Sequence, residues 1–249
     1  MKKDGSSVQR ILFGVFLVLL SVFFYSLHFA IFRDAHHIFI YLLGDIAFVF
    51  IEVLLVTLII HQVLSERERR ALRKKLNMVI GAFFSEVGTP LLGYFAGFDG
   101  GGKALSKDLL IDAEWSAERF SEVAAALSRR DPVIDSQAGD LASLRDFLIA
   151  ERGFLLRLLE NPNLLEHERF TELLWAVFHL AEELSHRKTV AGLPHSDYNH
   201  LAGDIKRADR LLLREWVSYM EHLKNDYPYL FSLAVRTNPL NPNASPEVK

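Results

Sequence analysis

The sequence contains no cysteine and no large excess of either charge, and both absences narrow the possible functions. Without cysteine the chain can form no disulfide, thiolate metal site or cysteine nucleophile. That suits a protein whose soluble part stays in a reducing compartment. Its 28 basic and 31 acidic residues give a formal net charge of −3. The chain as a whole therefore lacks the basic character typical of nucleic-acid-binding proteins, and we expect no nucleic-acid partner.

What the sequence does have is two long apolar runs near its N-terminus, which predict a transmembrane hairpin over residues 11–63. Residues 11–32 carry no formally charged side chain and would reach roughly 33 Å as a helix, enough to cross a bilayer core of about 30 Å. The second run begins at Ile38 after the short link RDAHH, which forces the two helices to be antiparallel. A signal peptide is disfavoured because its apolar region would be shorter and a second span follows directly. We therefore expect the lipid bilayer as a partner.

Basic residues are concentrated before the first apolar run and after the second, and are scarce in the link between them. The link carries only Arg33, beside Asp34, and residues 1–10 precede the first run. The basic residues before the first run and after the second are Lys2, Lys3, Arg10, Arg67, Arg69, Arg70, Arg73, Lys74 and Lys75. The positive-inside rule then places both termini in the cytoplasm, with residues 1–10 as a cytoplasmic N-terminus. Since nothing resembles a transit peptide, the sequence predicts a multi-pass protein of a bacterial inner (plasma) membrane.

Two acidic residues, Asp45 and Glu52, interrupt the second apolar run in the stretch GDIAFVFIEVLL. Their seven-residue separation puts them on one helix face, and each would cost about 2.5–3.5 kcal/mol at the bilayer centre if it faced lipid. Antiparallel register places Asp45 near the polar groups of Tyr25, Ser26 and His28. Glu52 has no evident partner in its own hairpin. This predicts a homo-oligomer or another membrane protein as partner, and ion or proton sensing through Glu52 is the alternative.

Residues 64–105 predict a juxtamembrane amphipathic helix followed by a glycine-rich linker. Apolar residues recur at steps of three and four between Leu72 and Val87, and Thr89-Pro90 suggests a break. Ser65 and Glu68 fit a capping box. The sequence leaves open whether a new helix begins there or the second span continues.

The stretch GFDGGGKA, residues 97–104, has the spacing of a phosphate-binding GxxxxGK loop. Such a loop needs a preceding strand and a Ser or Thr after the lysine, whereas here the preceding segment reads as helix and Ala104 follows Lys103. We therefore interpret the glycines as a linker.

The segment FFSEVGTPLL resembles the phosphoacceptor box of sensor histidine kinases in Ser85, Glu86, Thr89, Pro90 and Leu91. The phosphoacceptor histidine is absent, and no glycine-rich ATP-binding boxes follow, so this local likeness implies no kinase activity. The wider pattern of two spans, LNMVIGAFFSEVG and DYPYLFSLAVRTNP resembles a bacterial family of two-span membrane proteins of unknown function.

The remaining residues predict an all-α fold, with a cytoplasmic helical bundle over residues 106–236 and a flexible tail over residues 237–249. Helices are expected over residues 106–127, 136–160, 166–187 and 196–225, followed by one or two helical turns in DYPYLFSLAVRT. Apolar stripes predict the buried faces of the third and fourth of these helices.

The third and fourth bundle helices carry histidines and carboxylates at helical spacing. If they pair antiparallel, Asp204 lies level with His179, His200 with Glu183, and Asp197 with His186. Imidazole and carboxylate groups on facing helices are how helical bundles hold metals, so His179, Asp197, His200 and Asp204 are candidate ligands of a divalent metal. The ordinary alternative is a solvated polar face or salt bridges, with Asp204 reaching Arg207 or Arg236.

Taken together, the sequence favours a non-catalytic membrane-anchored signalling, scaffold or assembly module with no resident cofactor. A membrane-anchored metal-dependent hydrolase or oxidase, using the His/Asp cluster, is the alternative.

Overall fold

A computed structural model describes residues 4–101, 108–162, 164 and 167–248. These residues form α and π helices, turns and one isolated antiparallel bridge, Asp99 with Ile134, and no β-strand occurs in the described ranges. The predicted all-α class is confirmed. The chain divides into two compact units, Met1–Arg69 and Arg70–Lys249.

Eight α-helices and one π-helical turn are found among the described residues. They are α1 Asp4–Phe32, α2 Ala35–Phe83, the π turn Phe84–Gly88, α3 Thr89–Phe98, α4 Ala117–Arg129, α5 Leu141–Leu159, α6 Glu168–Ser185, α7 His195–Asp226 and α8 Pro228–Arg236.

The first unit is a helical hairpin closed by only two residues, Arg33 and Asp34. Arg33 adopts a left-handed backbone with φ of 53°, and its N–H donates to Phe29 O over 2.9 Å, which ends α1. The Asp34 carboxylate then accepts the His37 N–H over 3.1 Å and caps α2. The link is therefore shorter than the expected RDAHH, because Ala35 and the two histidines already belong to α2.

Both hairpin helices are apolar enough to cross a membrane. By length and composition the candidate spans are Ile11–Phe32, Ala35–Leu64 and Lys75–Phe98. Most apolar side chains of the first two are exposed, as is usual for helices that face lipid. The third candidate differs, because many of its apolar residues are buried in the core of the second unit.

The sequence left open whether a new helix begins at Ser65 or the helix of the second apolar run continues through it. Helix α2 runs from Ala35 to Phe83 without a break, so no new helix begins at Ser65. The sequence predicted a break at Thr89-Pro90, but the chain stays helical there, with the π turn Phe84–Gly88 directly before it. The Thr89 N–H donates to Phe84 O, five residues back. Pro90 has no N–H to continue the α-helical ladder, and a wider turn just before it keeps the chain helical.

The end of α2, the π turn and α3 supply core residues of the second unit, so residues 76–98 belong to the helical domain. We expected the bundle to begin at residue 106, with residues 64–105 preceding it. The buried residues of this segment are Leu76, Ile80, Phe83, Phe84, Val87, Leu91, Leu92, Phe95 and Phe98. From Leu76 to Val87, the amphipathic stripe seen in the sequence is therefore a core face.

Helix α7 is the central helix of the second unit, in contact with α3, α4, α6, α8 and the π turn, while α5 packs on α6. The apolar stripes predicted for α6 and α7 are buried. They comprise Phe170, Leu173, Leu174, Val177, Ala181 and Leu184 on α6, and Leu201, Ile205, Ala208, Leu212, Trp216 and Leu223 on α7.

Two segments of the second unit differ from expectation. Helix α4 begins at Ala117, capped by Ser116, whereas we expected a helix from Ser106, a residue outside the described ranges. Residues 109–116, directly before it, contain turns and irregular structure, and Leu109, Ile111 and Trp115 among them are buried in the core. The tail was expected to be loose, yet it begins with buried Asn238 and Leu240; the Asn238 amide donates to Leu109 O over 2.9 Å.

Candidate functional site

Within the hairpin, a cavity of about 530 Å³ lies beside Asp45 and is lined by His28, His37, Tyr25 and Tyr41 among others. The His28 and His37 rings stack with centroids 5.9 Å apart. Asp45, Tyr25 and His28 therefore line the same cavity, and Ser26 is not among its lining residues. The expected hydrogen bonds to Asp45 are not formed among the described residues, and the hydroxyl of Ser26 donates to Val22 O instead.

Glu52, the second acid of the hairpin, is exposed on the apolar part of α2. It makes no hydrogen bond or ion pair with any residue that the structure describes. The roles of Asp45, Glu52 and His28 as intramembrane polar sites remain predictions.

In the second unit, the histidines and carboxylates of α6 and α7 meet in one cluster around Asp204. The Asp204 side chain is buried, and its Oδ2 lies 3.6 Å from His179 Nε2 and 3.3 Å from His200 Nε2. His200 Nε2 also lies 3.5 Å from a carboxylate oxygen of Glu183. The antiparallel register therefore brings together His179 with Asp204 and His200 with Glu183.

Asp197 has a different partner from the one expected. It pairs with Arg187 rather than His186, whose Nδ1 lies 2.8 Å from Glu182 O. The Arg187 guanidinium also donates to Glu183 over 2.8 Å. These hydrogen bonds hold the pKa of Asp197 and the pKa of Glu183 below their usual ranges, because they stabilise the ionised carboxylates.

The described part of the chain contains no group of three or more His, Asp or Glu side chains placed to hold a metal ion. Asp204 Oδ2 is buried without a hydrogen bond from a described residue, with the two imidazoles beside it and the Arg207 guanidinium 3.8 Å from Oδ1. Both histidines remain about half exposed. This is the geometry of a partly solvated ion-pair cluster, and metal binding by these residues remains a prediction.

A second polar site surrounds Glu215 on α7. A cavity of about 300 Å³ is lined by Glu215, His167, Asn77, His222 and Asp226 among others. Residue 77 comes from α2 and residue 167 caps α6, so three helices build this cavity. The His222 Nδ1 lies 2.8 Å from Asp226 Oδ2 and 3.2 Å from the Asn77 amide nitrogen.

Glu215 is the buried charge of this cavity. Its side chain is about 4% exposed, and its Oε1 has no hydrogen-bond partner among the described residues. Arg169 Nε lies 3.5 Å from that oxygen, but the arginine is mostly exposed and donates no hydrogen bond to it. Burial raises the pKa of Glu215, with Arg169, His167 and Arg214 acting in the opposite direction.

A larger cavity, about 660 Å³, adjoins the polar one and is lined mainly by apolar and aromatic side chains. Asn77, Tyr219 and His222 line both cavities. We call the two together the Glu215 cleft. Its apolar part includes Phe84, Trp216, Met220, Leu230 and Leu233, so the end of α2, the π turn, α7 and α8 all contribute.

A buried ion-pair network lies elsewhere in the same unit. Arg130, at the end of α4, pairs with Asp99 and lies 3.4 Å from Asp209 Oδ2 on α7. Burial and the neighbouring Asp99 raise the pKa of Asp209 to about 6, against the opposing effect of Arg130. The network fixes the chain just after α3, where the P-loop-like stretch begins. Gly97 lies in helix α3, so no strand precedes that stretch.

Sequence patterns pointed to only part of these sites. Glu215 and His222 lie seven residues apart beside the apolar stripe of α7, a spacing that puts both on one edge of its buried face. Asn77 and His167 complete the polar cavity from two other helices, and no periodicity links those positions to α7. The sequence analysis did not predict the Asp99–Arg130–Asp209 network either, because no periodicity links these three positions.

These observations define a class: an all-α protein with an N-terminal apolar helical hairpin and a C-terminal helical domain that contains a cleft. Comparison with known proteins gives the same division. The family model MJ1433, N-terminal helical domain, matches residues 2–64, and the model Uncharacterized protein MJ1433, C-terminal helical domain, matches residues 72–236.

The chain belongs to the MJ1433 family. A relative from Methanocaldococcus jannaschii, Uncharacterized protein MJ1433, is 46% identical over 231 residues, which cover 93% of each chain. No solved structure matches. Because that relative is archaeal, the bacterial source implied by the earlier resemblance remains a prediction.

Proposed function

We propose that the protein is a non-catalytic, membrane-anchored module that assembles through its hairpin and carries a cytoplasmic helical domain for signalling or scaffolding. Both hairpin helices have the length and composition of spans. Basic residues on both outer flanks favour cytoplasmic termini in a prokaryotic plasma membrane. Helix α2 provides the second span and also the first core residues of the helical domain.

The observation that carries this proposal is the unpaired state of the hairpin acids. Asp45 and Glu52 share one face of α2, and neither has a hydrogen bond or ion pair with a described residue. A carboxyl facing lipid is costly, whereas a second copy or another membrane protein can satisfy it. Interhelical polar contacts in membranes contribute about 1–2 kcal/mol. We therefore assign Glu52 to a contact between copies of the hairpin.

The test is the oligomeric state of the full-length chain in lipid bilayers, measured by single-molecule photobleaching. We expect a dimer or larger assembly for the wild-type protein and roughly tenfold weaker association for Glu52→Leu. Glu66→Leu is the matched control, since Glu66 is a carboxylate on the same helix beyond the apolar run. A monomeric wild-type protein, or an unchanged assembly in Glu52→Leu, would contradict the proposal.

The described His/carboxylate cluster has the contacts of ion pairs, and no further observation favours a reaction at that position.

A further inference from the structure

The Glu215 cleft combines two environments that a single ligand could span. Its polar cavity holds a buried carboxylate, and its apolar cavity adjoins the polar one at Asn77, Tyr219 and His222. The two volumes, about 300 and about 660 Å³, fall within the range usual for small-molecule sites, roughly 300–1,000 Å³.

The polar end requires a hydrogen-bond donor. Glu215 Oε1 is buried and accepts no hydrogen bond from the described residues, and a buried carboxylate oxygen left in that state is costly. Glu221 and Asp226 also line this cavity, and the basic side chains among its described lining residues are His167 and His222. His222 is already engaged with Asp226 at 2.8 Å.

The cations nearest to Glu215 do not supply that donor. Arg169 lies 3.5 Å away without a hydrogen bond, and both Arg169 and Arg214 stand outside the set of residues that line the cavity. The excess of carboxylates inside the cavity therefore favours a ligand with a positive charge and several N–H donors. A primary ammonium group has both.

The apolar end requires a hydrocarbon. Phe84, Trp216, Met220 and Leu230 are among the residues that line it, together with Ser85 and Thr89 of the FFSEVGTPLL segment. Gly81 also lines this part, and a Cβ added there would lie 3.6 Å from the Tyr219 hydroxyl oxygen and 3.8 Å from its Cε2, both ordinary contacts. A larger side chain at residue 81 would therefore extend into the cavity.

We propose that the Glu215 cleft binds an amphiphile with a primary ammonium headgroup, its ammonium donating to Glu215 and its hydrocarbon chain lying between α2, α7 and α8. This site is separate from the hairpin contact of the proposed function. Loss of assembly in Glu52→Leu and loss of ligand binding in a cleft variant are therefore independent results.

The experiment uses the full-length protein in phosphatidylcholine nanodiscs and three probes that share one chain: dodecylamine, dodecanol and dodecanoate. Binding is followed by the fluorescence of Trp216, which is buried and lines the cleft. A Trp216→Phe variant measures the signal from Trp115, Trp175 and partitioning into lipid. We expect dodecylamine to bind about tenfold more tightly than dodecanol, and dodecanoate to bind more weakly than either.

Two variants test the two ends of the cleft. Glu215→Gln keeps the size of the side chain and should abolish the preference for the amine, while Glu172→Gln, a carboxyl on α6 that does not line the cleft, should preserve it. Gly81→Leu should weaken all three probes by filling the apolar cavity. Circular dichroism checks that each variant is folded. Equal binding of the three probes, or an unchanged amine preference in Glu215→Gln, would overturn the proposal.

A further arm distinguishes the source of the ligand. Phosphatidylethanolamine has a primary ammonium headgroup, whereas phosphatidylcholine has none. If nanodiscs containing phosphatidylethanolamine weaken dodecylamine binding to the wild-type protein, the bilayer itself supplies the ligand. If they do not, the ligand is a soluble amphiphile of the same chemistry.

Discussion

Arg187 and Asp197 form a two-pronged ion pair that joins the end of α6 to the first turn of α7, with Nε–Oδ2 and Nη2–Oδ1 distances of 2.9 and 2.6 Å. Only the planar guanidinium fork can make both bonds at once. The pair lies beside Glu183 and the His/carboxylate cluster, so it fixes the register in which α6 and α7 present their polar groups.

Replacing this arginine should destabilise the helical domain. We expect Arg187→Lys to lower the free energy of unfolding by about 1–2 kcal/mol at neutral pH, because lysine keeps the charge but loses the fork. The measurement is denaturant unfolding of the full-length chain, followed by tryptophan fluorescence. Arg129→Lys on α4 is the control, since Arg129 makes no ion pair with a described residue and should change stability little.

Because Arg187 pairs with Asp197 and Glu183, we expect the stability of the helical domain to fall at acid pH. Arg187 lowers the folded-state pKa of Asp197 and of Glu183 from ordinary values of 3.8 and 4.5. Their stabilisation is therefore present above those values and is lost as the pH falls through the lowered folded-state pKa values. Arg187→Met should lose less stability than the wild-type protein on acidification from pH 5 to about pH 3. Parallel losses would show that the pair contributes nothing to acid unfolding.

Asp209 should give the opposite pH dependence, with stability lost as the pH rises. Its folded-state pKa, about 6, lies above the ordinary value of 3.8, so the folded protein binds more protons between these values and stability falls as pH rises. The difference corresponds to about 3 kcal/mol. We expect the free energy of unfolding of Asp209→Asn, relative to wild type, to increase from pH 4 to about pH 6 and then level off. The exposed Asp146→Asn is the control, and matching profiles for the two variants would refute this role for Asp209.

Two glycines give a paired test of core packing. A Cβ at Gly139 would lie 2.7 Å from the buried ring of Phe98, whereas a Cβ at Gly203 on α7 would meet nothing within 4 Å. Gly139→Ala should destabilise the domain by about 1–3 kcal/mol through overpacking. Gly203→Ala should be neutral or stabilise it by up to about 1 kcal/mol, because alanine favours the helix. Thermal unfolding of both variants measures the contrast, and equal melting temperatures would contradict the packing described here.

The His/carboxylate cluster is tested by metal content. We expect the purified full-length protein to contain no stoichiometric transition metal by mass spectrometry, because Asp204 is already surrounded by His179, His200 and Arg207 as ion-pair partners. The His200→Ala/Asp204→Ala double variant is the comparison. A stoichiometric metal that disappears in the double variant would establish a metal site and favour the enzyme alternative.

The sequence predicted those features that repeat along one helix. Apolar periodicity located the buried faces of α6 and α7, and the register of that helix pair brought His179 level with Asp204. It did not predict contacts between distant segments. Arg130 joins Asp99 and Asp209 across three separate parts of the chain, and Asn77 reaches His222 from 145 positions away. Such pairings depend on how the helices pack, which hydrophobic patterning constrains only loosely.

The burial of residues 76–98 in the helical domain also bears on membrane topology. By composition, Lys75–Phe98 could be a third crossing. Its core residues Phe83, Phe84 and Phe95 are instead fully packed against protein, and extracting them into lipid would dismantle the domain. Under the proposed topology, in which the two hairpin helices span the bilayer, a chain that keeps this packing crosses an even number of times. The packing of these three phenylalanines would then keep the helical domain on the same side of the membrane as the N-terminus.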